Sequence, residues 1–127
     1  MDLLLSIRSG QGCTVVEVGG DLDLATEPQL RHALRPVVEA GVGQVVVDLA
    51  GVGFMDSSAL GTLVVTFKKL RDGGGRLCLA AAQEPVRELL LITSVDKVID
   101  VYDTVAAAEA SMRPGGDGSA TVRPSVG

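Results

Sequence analysis

Tryptophan is absent from this chain, and Phe54, Phe67 and Tyr102 are its whole set of aromatic residues. With so few stacking faces, a platform for single-stranded nucleic acid is excluded. A basic stripe is lacking as well. The formal net charge is −5, whereas a nucleic-acid surface needs clustered Lys and Arg to displace counterions from phosphate. No apolar run reaches the roughly 18 residues that span a bilayer. Asp2 stands where a secretory signal would carry basic residues, and the apolar stretch Leu3 to Leu5 is too short for one. These shortages predict a cytoplasmic protein that binds neither nucleic acid nor membrane.

Catalytic groups are equally scarce. His32 is the single histidine, and Cys13 and Cys78 lie far apart, outside any CxxC pair. Such a set offers no zinc site, and the thiols read as buried groups in a reducing compartment. A Ser-His-Asp hydrolase would need His32 to reach a serine and to be oriented by an acid. The serine pair at Ser57 and Ser58 lacks the glycines of a nucleophile elbow. Gly73-Gly74-Gly75 follows a helical pattern and precedes a strand pattern, the reverse of a phosphate loop, and no Gly-Lys-Ser/Thr occurs. Asp48 ends a strand pattern, as a phospho-acceptor aspartate would, but no acidic pair follows the first strand to hold magnesium. The expectation is a binding protein and not an enzyme, with no catalytic residue, no cofactor and no metal.

What the chain does have is a core made from aliphatic residues. Its 127 residues are 46% hydrophobic, enough for one domain with its own core. Leu3 to Ile7 and Cys13 to Val18 read as a hairpin around the turn Ser9 to Gly12. Thr26-Glu27-Pro28-Gln29 has the spacing of a capping box, and Leu30, Ala33, Leu34, Val37 and Val38 follow at helical spacing. Pro36 should kink or shorten that helix. Val45-Val46-Val47, within Gln44 to Leu49, suits a central strand. Ala50 to Met55 reads as a loop. A second helix is predicted from Asp56 to Arg71, with Leu60, Leu63, Val64, Phe67 and Leu70 facing the core. A strand (Arg76 to Ala81), a short helix (Pro85 to Ile92), an edge strand (Val98 to Tyr102) and a helix (Thr104 to Met112) complete the pattern. The order is β-β-α-β-α-β-α-β-α. It predicts an α/β domain with a mixed four- to five-stranded sheet, an N-terminal β-hairpin and about four helices. The domain occupies residues 1–112. Composition then turns to Pro, Gly, Ser and Asp, which predicts a flexible C-terminal tail at residues 113–127.

One feature exceeds what the fold requires. Asp56 alone would cap the second helix, yet two hydroxyls, Ser57 and Ser58, follow it, and Gly61 sits in the early turns at a cost to the helix of about 1 kcal/mol relative to Ala. Ser58, Thr62, Val65 and Lys69 fall on the outer face as a mildly apolar strip. A phosphoserine at a helix N-terminus is favoured by the dipole and the free N–H groups, so it need not unfold the domain. It adds about −1.5 to −2 charge units, enough to abolish docking that had fitted a neutral hydroxyl.

Three segments carry a resemblance to a known family. They are Gly20-Asp21-Leu22-Asp23-Leu24-Ala25-Thr26; Val45 to Leu49 followed by Phe54-Met55-Asp56-Ser57-Ser58-Ala59-Leu60-Gly61; and Gly74-Gly75-Arg76-Leu77 leading to the Pro85 helix. Over Leu3 to Met112 the chain resembles the STAS domains, and within them the bacterial anti-sigma factor antagonists. The resemblance implies helices packed mainly on one face of the sheet. It also implies a partner, an anti-sigma factor that is a serine kinase. The unphosphorylated antagonist binds this kinase and releases a sigma factor; phosphorylation of the serine after the aspartate, here Ser57, switches it off, and a phosphatase resets it. Ser58 is the second choice of acceptor. The expected partner surface is Asp23, Asp56, Ser57, Ser58, Ala59, Gly61 and Thr62 on a monomer or weak homodimer. Ala59 departs from the family, which usually has Gly there; it is expected to crowd the kinase and slow phosphorylation. The alternative is a STAS interaction module of a lipid-transport or stressosome-like assembly.

Overall fold

The computed structural model describes residues 2–41 and 43–112. The predicted tail from Arg113 to Gly127 lies outside them. A single sheet has strand order β1-β2-β3-β4-β5. β1 (Leu4–Ser9) pairs antiparallel with β2 (Thr14–Leu22), forming the expected hairpin. β2, β3 (Gln44–Met55), β4 (Arg76–Ala80) and β5 (Val101–Tyr102) run parallel. Each parallel connection contains a helix, as crossover geometry demands: α1 (Glu27–Glu39), α2 (Ser57–Asp72) and α3 (Glu84–Ile92). α4 (Val105–Met112) follows β5.

The two faces of the sheet are unequal, and the residue pattern sets this. Val16, Val45, Val47, Leu77 and Leu79 alternate onto one face, where they meet Leu30 and Leu34 of α1, Leu63 and Leu70 of α2, and Val86 and Leu90 of α3. The intervening residues Val15, Val46, Cys78 and Ala80 face α4 through Ala108 and Met112. Three helices therefore cover one face and one short helix covers the other. Cys78 is fully buried there, and loss of water pushes its thiol up to about 12. Cys13 is only half-buried, so the expectation of two buried thiols holds for one of them.

Four local expectations need correction. The segment Ala50 to Met55 is strand, not loop: Gly19, Gly20, Asp21 and Leu22 pair with Gly51, Val52, Phe54 and Met55, through irregularities at Glu17/Gly19 and Gly20/Asp21. Its glycines imitate a turn in sequence, but they permit close backbone approach: a Cβ on Gly51 would lie 3.0 Å from Gly19 Cα. The capping box does not form. The Thr26 hydroxyl instead donates to the Asp21 carbonyl at 2.6 Å, and the Gln29 side chain accepts from the Leu3 N–H at 2.9 Å. Pro36 does not shorten α1, which continues to Glu39. The edge strand shrinks to Val101–Tyr102, because Val98 and Ile99 still donate to the Val95 carbonyl at the end of a 3₁₀ turn, Val95–Lys97.

The end of α2 follows the sequence closely. Gly74 adopts φ +86°, and the Gly74 and Gly75 N–H groups donate to the Arg71 and Leu70 carbonyls at 2.9 and 2.7 Å. This is a Schellman stop, with glycine in the left-handed position.

Candidate functional site

The C-terminal ends of β2 and β3 lie side by side, and the chain leaves them in two different ways. From β2 it passes through Asp23 into α1; from β3 it passes through Asp56 into α2. The Asp56 N–H donates to the Leu22 carbonyl at 2.9 Å, which ties the two exits together. Ligand surfaces of parallel sheets gather at such carboxyl ends.

Asp56 is the cap of α2. Its Oδ1 accepts from the Ser58 N–H at 3.0 Å, the Ala59 N–H at 3.3 Å and the Ser58 hydroxyl at 2.6 Å. The Ser58 hydroxyl bond is the main reason its carboxyl is held below the usual carboxylate range; the N–H groups of Ala59, Ser58 and Leu24 add to the effect. The two serines thereby part company. Ser58 is half-buried and its hydroxyl is spent on the cap, whereas Ser57 is exposed, and no group among the described residues bonds its hydroxyl.

This cap has a measurable pH signature. A carboxyl with a depressed folded-state pKa contributes stability that is present above its unfolded value, about 3.9, and is lost as pH falls through the folded value. Ser58→Ala removes the largest cause of the depression. At pH 7 the variant is expected to be about 1 kcal/mol less stable. Urea melts at falling pH should see that difference close as the Asp56 carboxylate is protonated; a gap that stays constant down to pH ~2 contradicts the assignment.

Asp23 organises the turn that leads into α1. Its Oδ1 accepts from the Ala25 and Thr26 N–H groups, both at 3.0 Å, and the residue remains half-buried. Thr62 lies one turn into α2, where its hydroxyl bonds Glu27 of α1. Glu27 is held below the usual range by Arg31 first and by Thr62 second. Gly61 is exposed, and a Cβ there would meet nothing within 4 Å.

Ala59 requires a correction. Its side chain is 0% exposed and belongs to the core beside Leu60 and Leu63. The methyl group therefore points inward. It offers no surface to a partner and cannot crowd one, contrary to the expectation from sequence.

Two exposed apolar residues at these strand ends were not among the expected partner-surface residues. Leu24 is 76% exposed and Phe54 is 48% exposed. Phe54 stands opposite Asp21 on the paired strand ends, and Leu24 follows Asp23. The signal for Phe54 was the rarity of aromatics, combined with a place just before Asp56. Leu24 had a weaker one, an apolar residue inside an otherwise polar turn. Among the described residues, no group of three or more His, Cys, Asp or Glu is placed to hold a metal ion. No described helix is long and apolar enough to cross a membrane.

Comparison with known proteins sets this geometry in context. A family model for the STAS domain matches residues 5–108. The anti-sigma-B factor antagonist of Bacillus subtilis (strain 168) is 32% identical over 101 residues, covering 80% of this chain and 92% of that protein. The anti-sigma-B factor antagonist of Staphylococcus epidermidis is 37% identical over 88 residues, covering 69% of this chain and 82% of that protein. The crystal structure of an anti-sigma factor antagonist from Mycobacterium paratuberculosis superposes with a TM-score of 0.81 at 30% identity, covering 88% of this chain and 95% of that one.

Proposed function

The chain belongs to the STAS domain family, and from that premise we propose that it is an anti-sigma factor antagonist whose binding is switched off by phosphorylation of Ser57. The observation that carries the reading is the division of labour between the two serines. Ser57 presents a free, exposed hydroxyl in the first turn of α2, while the Ser58 hydroxyl is held by Asp56 at 2.6 Å. The relatives named anti-sigma-B factor antagonist supply the class of partner.

The protein is the substrate of the switch, and the kinase is its partner anti-sigma factor. The Ser57 Oγ attacks the γ-phosphorus of ATP, an O–P bond forms, the bond to the β-phosphate oxygen breaks, and ADP leaves. The hydroxyl proton passes to a base of the kinase, since no group among the described residues bonds the Ser57 hydroxyl. The product sits in the first turn of α2, where the helix dipole favours negative charge, so the dianion need not unfold the helix. A phosphatase restores the hydroxyl. Asp23, Asp56 and Thr62 serve this surface by fixing the two helix starts; Leu24 and Phe54 give it apolar area, and Gly61 gives it room.

The direct test is incubation of the protein with a kinase-type anti-sigma factor and ATP, followed by fragmentation mass spectrometry of the peptide holding both serines. One phosphoryl group on Ser57 is expected. Modification of Ser58 alone, or of neither, contradicts the proposal. A second measurement concerns the apolar border: Phe54→Ala should weaken binding to the kinase by about tenfold or more, as loss of a central aromatic anchor does. Calorimetric titration checks this, and the thermal midpoint should fall little because the ring is half exposed.

A further inference from the structure

A groove runs between α1 and α2, away from the sheet, and encloses about 400 Å³. That is within the size range of ligand-binding clefts. We propose that it is a second contact for the same kinase partner, and that it receives an acidic amphipathic segment, an apolar side chain flanked by carboxylates. The inference rests on the proposed switch and extends it from one serine to a two-point interface.

Charge is the first argument. The chain as a whole carries −5, yet the charged residues lining this groove are Arg31, Arg35 and Lys69 against Glu39 alone. Arg31 is engaged by Glu27 at 3.0 Å, whereas Arg35 and Lys69 form no ion pair among the described residues. With Arg31 taken by Glu27, Arg35 and Lys69 stand against Glu39, a local excess of positive charge on an acidic protein that favours carboxylates.

Apolar surface is the second. Val65 projects from α2 with 51% of its surface exposed, and half-buried Val38 of α1 lines the facing wall, with Leu34 buried beneath. Two helices with an apolar trough between them suit an amphipathic segment, laid in by its apolar side.

Gly61 is the third. It lines the groove, its φ is ordinary, and a Cβ would touch nothing. The helix would be more stable by about 1 kcal/mol with Ala. Since nothing inside the fold asks for glycine, the open space serves something outside it. Ser58, the neighbour of Ser57 in sequence, lines the groove as well, which brings the groove to the edge of the proposed switch.

The test uses the whole chain in calorimetric titration with the purified kinase-type anti-sigma factor. The variants are Gly61→Leu, the pair Arg35→Glu with Lys69→Glu, Ser57→Asp as the switch reference, and Lys97→Glu as a control on another surface. Gly61→Leu and the charge reversal are expected to weaken binding about tenfold each, with thermal midpoints near that of the unaltered chain. The charge reversal should also flatten the salt dependence of affinity, and Lys97→Glu should change nothing. If Gly61→Leu melts early, Gly61→Ala and the charge reversal carry the reading. Binding within about twofold for the groove variants, alongside loss with Ser57→Asp, overturns the groove and leaves the switch standing. Undiminished binding by Ser57→Asp overturns the switch instead. Anionic phospholipid vesicles that sediment the chain and lose it on charge reversal, with kinase binding unaffected, assign the groove to lipid and overturn the proposal.

Discussion

Ser57→Asp is expected to lower affinity for the proposed kinase partner by about a hundredfold or more, while Ser57→Ala stays within about threefold of the unaltered chain. The asymmetry follows from what each change does at one exposed atom. The Ser57 hydroxyl has no bond among the described residues, so removing it leaves none of their groups unsatisfied. Adding a carboxylate places a charge beside Asp23 and Asp56, in a surface that must lose its water to dock. Water screens the repulsion among these carboxylates in the free chain, and docking removes that water, so the repulsion and the desolvation fall mainly on the complex. In the free protein the same carboxylate sits in the first turn of α2, where the helix dipole favours it by a few tenths of a kcal/mol. Ser57→Asp should therefore melt at or slightly above the unaltered chain while failing to bind. Titration calorimetry with parallel thermal melts distinguishes this from unfolding. Ser58→Asp is a useful contrast, because its carboxylate would face Asp56 directly and should destabilise the fold as well.

The same contrast explains how much of the site was legible in the sequence. The Asp56 cap was readable because it follows a local rule; Ser57 and Gly61 became candidates because each exceeds one, a further hydroxyl after a sufficient cap and a glycine where a helix wants none. The role of Ala59 was not readable. Burial at the third residue of a helix depends on how α2 lies against the sheet, and the sequence pattern of core residues gave only its later turns. Thr26 failed for a related reason. Its spacing to Gln29 satisfies the capping-box pattern, but strand β2 runs four residues beyond Val18, which brings the Asp21 carbonyl within reach of the hydroxyl. That extension depends on pairing with Ala50 to Met55, a non-local contact. Helix periods, the hairpin and the Val45-Val46-Val47 strand were set locally, and these matched the structure. The groove was half visible: the outer strip Ser58, Thr62, Val65 and Lys69 was read from helical spacing, but its partner wall on α1 needed the packing angle of the two helices.

Gly75→Ala is expected to be the most damaging glycine-to-alanine change among the described residues, costing about 3 kcal/mol. Sequence reads Gly73-Gly74-Gly75 as one stop and turn, but the three glycines face different surroundings. A Cβ on Gly73 would lie 3.6 Å from the Leu70 carbonyl, an ordinary contact. Gly74 has φ +86°, so Ala there meets only the left-handed penalty of about 1 kcal/mol. A Cβ on Gly75 would collide with the backbone carbonyl of Gly43, and would also crowd Gly43 Cα at 3.2 Å. Neither partner is a flexible side chain that can swing aside. The Gly43 carbonyl moreover accepts from the Arg76 N–H at 2.6 Å, at the point where Gln44 and Arg76 begin the β3–β4 pairing. Relief of the clash must separate the two central strands where Val45 and Leu77, both fully or nearly fully buried, first meet. Urea denaturation should place the three variants in the order Gly73→Ala, Gly74→Ala, Gly75→Ala, from near-neutral to severe, with the slope unchanged. Equal effects at all three positions would return the triplet to a generic turn. The lesion lies at the N-terminal ends of β3 and β4, the opposite end of the sheet from Asp56 and Ser57. The folded fraction of Gly75→Ala should therefore bind the kinase with unaltered affinity and accept phosphate on Ser57.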